Sequence, residues 1–268
     1  MPLLRPVSSK WRLPPLLFAL VCLLPLPPVC AAEIPVPHLL PALANTQNAD
    51  AVLSALVGIP YRQDGGIDDA GNFTLLADPK KQFDTPGLNC SGLVLEASRF
   101  LLKKNFSIED AVRDRLNDSG PASSLGQDWD FGWDLVLNLS DGLPRTLLLP
   151  GGESADPADF DGLAARGYDL HDPATWSELP DRIRPGYLYL ASFNRETAQK
   201  GYTLLHYHVG ILHRNHAGNI MITQTTGTSR KSYSRTISSR EGLDLFLTSF
   251  ANTGTVRKMV AIIEVPLP

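Results

Sequence analysis

The stretch GLNCSGLVLEAS, residues 87–98, places Cys90 directly before a segment with helical periodicity. Apolar side chains from Leu93 to Leu101 recur with the spacing of one helix face, and two lysines fall in what would be the last turn, where cations suit the helix dipole. The sequence therefore predicts a helix whose first turn contains Cys90. At that position the unpaired N–H groups and the positive end of the dipole favour a thiolate over a thiol.

The first 32 residues have the features of a secretory signal peptide. Three basic residues precede the apolar run LPPLLFALVCLLPLP, and the small residues of VCAA come before Glu33, the first acidic residue. The run is too short and too rich in proline for a transmembrane helix, so we expect no membrane span. Neither cysteine of this segment follows the small residue that a bacterial lipobox needs. We expect cleavage near Ala32 and a periplasmic or secreted protein.

Cleavage would leave Cys90 as the single cysteine, because Cys22 and Cys30 belong to the signal segment. No intramolecular disulfide could then form. An unpaired cysteine in an oxidising compartment is either a reactive thiol or a small buried hydrophobic residue. Cysteine counting alone leaves both interpretations open.

The composition bounds the class of protein. Loss of Arg5, Lys10 and Arg12 with the signal segment takes the formal net charge from −4 to about −7. An acidic chain with no basic tract argues against nucleic acid as a partner. About 236 of the 268 residues remain, enough for one domain with a sizeable core. We expect an extended lead-in at 33–47 and a single domain at 48–268.

Helices precede strands in the predicted domain. The stretch NADAVLSALVGIPY predicts a helix that Asn48 or Asp50 caps, with Val57 on its apolar face, and a polar loop is expected at 62–86. Four β-rich runs in the last third predict a meander of strands: GYLYLASF, HYHVGILHR, NIMITQTT and VRKMVAIIEVPL. This order indicates an α+β fold.

The segment at about 105–183 interrupts that order. It contains one short capped helix, SIEDAVRDRL, and an aromatic-rich stretch, DWDFGWDLVLNL. Two further stretches, LPGGESADPADFDG and HDPATWSELPDRIRPG, are loop-like. We interpret the segment as an insertion or a helical elaboration of the domain.

A thiolate nucleophile needs a general base, and four of the six histidines lie in the stretch HYHVGILHRNH. Strand geometry would place His206, His208 and Gly210 on one face, where Gly210 would leave room for a thiol to approach. His213 and His216 fall towards the following turn and are expected to be solvated. The candidates for the base are therefore His208 and His206.

Two other interpretations of the histidine cluster stay open. The spacing His-x-His on one strand face is found in metal sites, although no Cys, Asp or Glu lies within the cluster. Alternatively, the four histidines are surface residues of a strand and its turn.

Four short blocks occur in one order: GIPYRQDGG (58–66), LNCSGLV (88–94), RPGYLYL (184–190) and HVGIL (208–212). Together they resemble the motifs of the NlpC-type cell-wall peptidases, papain-like cysteine hydrolases of bacterial peptidoglycan. Those motifs read approximately G-x-P-Y-x-x-G-G, D-C-S-G-L-V, P-G-D-L and H-V-G-I. The likeness lies within roughly residues 48–265.

The resemblance implies a papain-like core in which N-terminal helices pack on an antiparallel β-sheet, with the unmatched segment inserted between the Cys helix and the sheet. It implies that Cys90 is the nucleophile and His208 the base. Tyr61 would lie near the thiol and help to bind substrate or the oxyanion, and Asn89 and Ser91 are further candidates for substrate binding. Neither a metal nor an organic cofactor is implied.

The family's third polar residue, usually histidine, lies about a dozen residues beyond the base and orients the imidazole. The corresponding strand here, NIMITQTTG, contains no histidine. We choose Gln224, whose amide oxygen would accept from the ring N–H facing away from the thiol, and Thr223 is the alternative if the register is shifted. Asn89 stands where many members have an Asp linked to the free amine of the terminal L-alanine, and Tyr187 replaces the Asp of P-G-D-L.

The expected function is that of an exported cysteine hydrolase that cleaves an amide bond in peptidoglycan stem peptides. Peptidoglycan or its peptide fragments would be the partner. The thiolate would attack the carbonyl, and the backbone N–H of Cys90 would help to hold the oxyanion. One alternative is a cysteine amidase acting at the sugar–peptide bond. Another is a catalytically degenerate cell-wall-binding or scaffold module, which the departures at Asn89 and at the third position motivate.

Overall fold

The structure of the protein is a computed structural model that describes residues 48–119, 129–196, 204–254 and 256–268. The predicted signal peptide at 1–32 and lead-in at 33–47 lie outside the described residues. Within these ranges, none of the helices combines the length and the apolar character needed to cross a membrane.

The described chain has an α+β fold. Its α-helices are α1 (Ala49–Ala55), α2 (Cys90–Leu101), α3 (Ile108–Ala111), α4 (Phe131–Ser140), α5 (Pro173–Arg182) and α6 (Arg240–Ser249). Its strands are β1 (Gly65–Ile67), β2 (Phe73–Leu75), β3 (Thr146–Leu148), β4 (Ser154–Ala155), β5 (Tyr168–Asp169), β6 (Tyr187–Glu196), β7 (Leu204–Arg214), β8 (Ile220–Thr225), β9 (Ser232–Thr236) and β10 (Lys258–Pro266).

Antiparallel pairing organises the strands into two sheets. The larger has the order β4–β3–β10–β6–β7–β8–β9, with β5 also paired to β10, and β1 and β2 form a separate two-stranded sheet. Alternate residues of β6 bury their side chains on opposite faces of the larger sheet, as strand geometry requires. Leu188 and Leu190 belong to an apolar cluster with α1, α2 and α4, whereas Tyr189 and Phe193 belong to a second cluster with α5 and α6.

The elements predicted around the candidate site are confirmed. Helix α2 begins at Cys90, and the four β-rich runs correspond to β6, β7, β8 and β10. Helix α1 also forms, and the side chain of Asn48, not that of Asp50, caps it by accepting from two backbone N–H groups. The burial predicted for Val57 is wrong, because α1 ends at Ala55 and leaves the Val57 side chain 40% exposed.

The segment at 105–183 contributes to the larger sheet, contrary to its interpretation as an insertion placed before the sheet. Strands β3, β4 and β5 all lie in this segment, and β3 and β5 pair with β10. These strands are only two or three residues long, too short to show an alternating pattern. The aromatic-rich stretch forms α4, which is buried along almost its whole length.

Three other predictions need correction or completion. The stretch predicted as a loop at 171–186 contains α5, which begins with Asp172 as cap and Pro173 in its first turn. The expected loop at 62–86 contains the β1–β2 pair. Finally, β9 and α6 form in a region to which the sequence pattern had given no element.

Candidate active site

Local packing fixes Cys90 at the first position of α2. Asn89 caps this helix, because its side-chain oxygen accepts from the Gly92 N–H at 2.8 Å. Gly92 lets the first turn lie against β1, where a Cβ atom would stand 2.1 Å from the Gly65 carbonyl oxygen. Cys90 is half-buried and unpaired with any other cysteine.

A cleft of about 550 Å³ opens beside this helix terminus. Its lining includes all but one of the predicted site residues: Tyr61, Asn89, Cys90, Ser91 and His208. Helix α4 adds Phe131 and Gly132 to the wall, a contribution that the sequence pattern did not predict. Gln224 lies behind His208 and is fully buried.

A β-bulge separates the two candidate bases. Phe193 of β6 pairs with His208 and Asn194 pairs with His206, so Tyr207 is an extra residue in β7. The predicted common face of His206 and His208 is therefore wrong, because the bulge breaks the alternation between them. The ring of His208 lies 5.3 Å from that of Phe193, which belongs to the apolar cluster with α5 and α6.

His206 is held in a structural environment on the opposite face. Its Nδ1 is 2.9 Å from the Ser192 hydroxyl and its Nε2 is 2.8 Å from the Gly162 carbonyl oxygen. Burial lowers the pKa of His206 to about 4, so the ring is neutral at ordinary pH. Both ring nitrogens have protein partners, which leaves neither for Cys90.

His208 is the histidine that interacts with the Cys90 thiol. Burial would raise the pKa of Cys90, but the charge of the His208 ring and a hydrogen bond with it lower this pKa to about 7. Burial would correspondingly lower the pKa of His208, and the interaction with Cys90 raises it. The opposite pKa shifts of the two groups thus favour a thiolate–imidazolium pair.

The separation of β7 from β8 gives the thiol access to the strand backbone. These strands pair only between Ile211 and Arg214 on β7, so the preceding residues are free of β8 on that edge. The Val209 backbone makes a hydrogen bond with Cys90 that further lowers the pKa of the thiol. A backbone N–H donor directed at the sulfur stabilises negative charge there.

The side chain of Gln224, which the resemblance implies as the residue that would orient the imidazole, contacts the His208 ring. Its Oε1 lies 2.6 Å from Nε2 of His208, which leaves Nδ1 for the thiol. Thr223 points to the other face of β8, where its hydroxyl donates to Ser234 at 3.0 Å. The register alternative that placed Thr223 at the site is therefore wrong.

Gly210 has a different role from the one expected. A Cβ atom at this position would lie 3.2 Å from Ile222 Cδ1 and 3.5 Å from the Gln224 Cβ. Gly210 therefore makes room for β8 and for the Gln224 side chain, and not for the thiol.

The predicted substrate-binding residues take distinct positions around Cys90. The Tyr61 side chain is 37% exposed at the cleft, and burial together with the charge of Cys90 raises its pKa. Asn89 lines the cleft while its oxygen caps α2. Ser91 is buried, and its Oγ lies 3.9 Å from the Cys90 Sγ.

His213 is buried and not solvated, contrary to expectation. It lies in β7, where its Nε2 is 2.8 Å from Asp50, and the same carboxylate accepts from the His216 backbone N–H at 3.0 Å. Burial lowers the pKa of His213, against the opposing effect of Asp50. Among the described residues, no group of three or more His, Cys, Asp or Glu side chains is arranged to hold a metal ion.

The sequence pattern did not predict two groups of residues that contact His208 and Gln224. Phe193 and Phe250 stack with ring centroids 4.6 Å apart, and both contact the His208 ring. Tyr233 of β9 accepts a hydrogen bond from the Gln224 amide at 2.7 Å. Phe250 follows α6 and Tyr233 lies in β9. A sequence pattern that predicted these two elements would have indicated both residues as neighbours of the site.

Comparisons with known proteins add one structural neighbour. Neither a family model nor a curated protein matches the chain. The crystal structure of protein LPG0564 from Legionella pneumophila, described under the family name DUF1460, is similar at a TM-score of 0.49 and 14% sequence identity. The similarity covers 87% of this chain and 92% of that one.

Proposed function

We propose that this protein is an exported, papain-like cysteine hydrolase that cleaves an amide bond in peptidoglycan stem peptides. The observation that carries the proposal is the arrangement of Cys90 and His208 at the wall of an open cleft, with Gln224 behind His208. A helix-terminal thiol, a base paired with it and a group that orients the base are the components of nucleophilic amide hydrolysis. The four NlpC-type motif blocks support the choice of peptidoglycan as substrate.

Acylation begins with the thiolate of Cys90. The sulfur adds to the carbonyl carbon of the substrate amide, and the backbone N–H of Cys90 at the start of α2 donates to the developing oxyanion. Tyr61 lines the same cleft, from which its hydroxyl would contact the same group. His208 then gives the proton at Nδ1 to the leaving amine, the C–N bond breaks and a thioester forms.

Deacylation uses the same residues in reverse roles. Water enters the cleft as the amine departs, and His208 takes a proton from it as it attacks the thioester carbonyl. The C–S bond breaks, releasing a carboxylic acid, and the thiol and imidazole recover their starting state. Gln224 holds the ring through Nε2 in both steps, so that Nδ1 stays directed at the reacting atoms.

The second candidate is a cell-wall-binding module with a degenerate site. Asn89 motivates it, because its amide oxygen is engaged in capping α2 and carries no charge to bind a substrate amine. A cysteine amidase acting at the sugar–peptide bond is a variant of the leading proposal, since it uses the same thiolate chemistry on a neighbouring bond.

Incubation with purified peptidoglycan sacculi separates an enzyme from a binding module. We expect wild-type protein to release soluble fragments and the Cys90→Ala variant to release none while still co-sedimenting with sacculi. Co-sedimentation of both proteins with no soluble fragment would favour the module. Fragment release that survives in Cys90→Ala would rule out the proposed mechanism.

A further inference from the structure

A second cavity, of about 420 Å³, lies at the β9 end of the larger sheet. Its walls come mainly from β9 and from the turn between β8 and β9. They include two cations and several hydroxyl groups: Lys231, Arg235, Thr226, Ser229, Tyr233 and Ser234. Among the described residues that line the cavity, none carries a carboxylate. The cavity therefore presents positive charge and hydroxyl donors, the groups that bind a carboxylate ligand.

The charge of this region contrasts with the acidic character of the whole chain. The formal net charge of the chain is −4, yet the sequence has no Asp or Glu from residue 197 to residue 240. Neither Lys231 nor Arg235 forms an ion pair with another described residue. The Arg235 guanidinium lies over the Tyr233 ring, 5.4 Å from its centroid, a contact that limits its positions. Both charges are thus available to an anionic ligand.

Protection of the sheet edge does not account for these side chains. Cations on an edge strand discourage pairing with another chain. At the start of β9, however, Ser232 already exchanges backbone hydrogen bonds with Gly58 and Ile59, so the edge is covered beside Lys231. Edge protection also needs no hydroxyl donor, whereas the Ser234 hydroxyl accepts from a neighbouring threonine at 3.0 Å and keeps its own proton for a ligand.

One turn, at residues 226–231, separates this cavity from the cleft that contains Cys90. Tyr61 lines the cleft, and its backbone N–H donates to the Arg230 carbonyl oxygen at 2.8 Å. A Cβ atom at Gly227 would lie 3.6 Å from the Tyr61 ring. A ligand that extends from the cleft across Tyr61 and this turn would therefore reach the cavity.

We propose that Lys231 and Arg235 form a specificity subsite for a carboxylate of the stem peptide whose amide bond is cut at Cys90. The carboxylate is the anionic group that such a peptide carries at neutral pH. Reciprocal bonds hold the turn in place: the Thr226 N–H donates to the Ser229 hydroxyl at 3.1 Å, and the Ser229 N–H donates to the Thr226 hydroxyl at 3.0 Å. Little ordering of the turn is then needed on binding. The proposal rests on the proposed function, because it concerns the same substrate.

Isothermal titration of purified muropeptides into the Cys90→Ala protein, which cannot cleave them, tests this subsite. Addition of Lys231→Gln with Arg235→Gln should raise the Kd about 3- to 20-fold, as loss of two charge pairs near the surface does. The matched control is Lys80→Gln with Arg240→Gln, which removes two exposed cations outside the cavity. Since the loss of net charge is the same, we expect the control to change the Kd less than 2-fold.

Muropeptides whose carboxylates have been converted to amides identify the group that is recognised. For these ligands the substitutions at Lys231 and Arg235 should change the Kd less than 2-fold. Equal losses for native and amidated muropeptides would overturn the proposal, and so would equal losses in the control protein or an unchanged Kd for native muropeptides.

Failure of the proposed function gives a different result. Binding that depends on the two cations and on the carboxylates, without cleavage by wild-type protein, would refute the hydrolase and leave the subsite. Cleavage by wild-type protein with a Kd that is unaffected by the two substitutions would refute the subsite and leave the hydrolase. Absence of any muropeptide binding would overturn both.

Discussion

The thiol of Cys90 is subject to opposing effects whose balance decides its chemistry. Burial disfavours the thiolate, whereas the His208 ring and the Val209 backbone favour it, and the favourable effects prevail to bring the pKa to about 7. The dipole of α2 acts in the same direction, since Cys90 is the first residue of the helix. A large fraction of the protein therefore carries a nucleophilic thiolate at neutral pH.

Alkylation of Cys90 by iodoacetamide should follow this balance. The rate is proportional to the thiolate fraction, so we expect it to rise with pH through a midpoint near 7. His208→Ala removes the favourable charge but leaves the burial, so its midpoint should move above the ordinary thiol value of about 8.5. Cys90→Ser is the control and should show no labelling. A midpoint that is the same in wild type and His208→Ala would contradict the assigned pair.

In the proposed reaction, Gln224 would hold the imidazole without taking part in bond making. Gln224→Ala should lower turnover about 10- to 100-fold, because the imidazole loses its orienting partner and the hydrogen bond that helps to raise its pKa, but keeps its interaction with Cys90. Cys90→Ala should abolish turnover. Thr223→Val is the matched control on the other face of β8, where the Thr223 hydroxyl bonds Ser234, and it should keep turnover within about 2-fold. Wild-type turnover in Gln224→Ala would remove Gln224 from the mechanism.

At the residue scale, the resemblance to the NlpC-type motifs indicates Gln224 or Thr223 as the partner of His208, because it implies a polar residue about a dozen positions beyond the base. The structure gives that contact to Gln224. The prediction that His206 and His208 share a strand face was wrong, because one extra residue in β7 places the two side chains on opposite faces. Nothing in the stretch HYHVGILHR marks Tyr207 as that residue. A bulge depends on pairing with β6, which a local pattern does not contain.

At the scale of elements, the contact between α2 and β1 positions the nucleophile. A helical glycine replaced by alanine normally gains about 1 kcal/mol in helix propensity. Gly92→Ala should instead destabilise the protein, by about 1 to 3 kcal/mol, because its Cβ would meet the Gly65 backbone at 2.1 Å. Urea unfolding measures this cost, and alkylation of Cys90 should slow as the helix terminus shifts.

The matched control for this prediction is Gly227→Ala. The nearest atom to a Cβ at Gly227 is 3.6 Å away, an ordinary contact, so we expect a change of no more than about 0.5 kcal/mol. If Gly92→Ala were as stable as the control, the close packing of α2 on β1 would not be what fixes Cys90.

Helix α4 carries a buried carboxyl group that should make stability depend on pH. Burial raises the pKa of Asp134 to about 7, and its Oδ2 accepts from the Arg115 backbone N–H at 2.7 Å. The folded protein therefore binds this proton more tightly than the unfolded chain, and the free energy of unfolding should fall as pH rises from about 4 to about 7.

Asp134→Asn tests this expectation, because the amide keeps an acceptor for Arg115 and cannot ionise. We expect it to flatten the fall in stability between pH 4 and 7 and to raise the free energy of unfolding at pH 7 by about 1 to 3 kcal/mol. Asp159→Asn, at an exposed position, is the control and should leave the profile unchanged. A fall of unaltered steepness in Asp134→Asn would place the responsible group elsewhere.

Long elements and short ones differed in how well the sequence predicted them. The strands β6, β7 and β10 have nine to eleven residues each, enough for their β-rich composition to be unambiguous. Strands β4 and β5 have two residues each, and only their pairing with other strands defines them. Helix α5 has a recognisable start in Asp172 and Pro173, but it continues through Pro180, a residue that usually ends or kinks a helix.

At the scale of the whole molecule, the larger sheet brings distant parts of the chain to one cleft. The thiol comes from α2, the base from β7 and its orienting group from β8, while α4 supplies part of the cleft wall. The sequence indicated the first three because each lies in a motif or in a regular strand. It did not indicate α4, because the contribution of this helix depends on how the chain between α2 and β6 folds onto the sheet.

We propose that Cys90 hydrolyses an amide bond in a peptidoglycan stem peptide. Mass spectrometry of the products identifies both the bond that is cut and the residue on which cleavage depends. Sacculi or purified muropeptides are incubated with the protein in ¹⁸O-labelled water, and the released fragments are sequenced by fragmentation. We expect wild-type protein to give pairs of fragments with a new amine on one and a new ¹⁸O-bearing carboxylate on the other, and Cys90→Ala to give neither. Products that are identical for the two proteins, or intact stem peptides after binding by wild type, would contradict hydrolysis by Cys90.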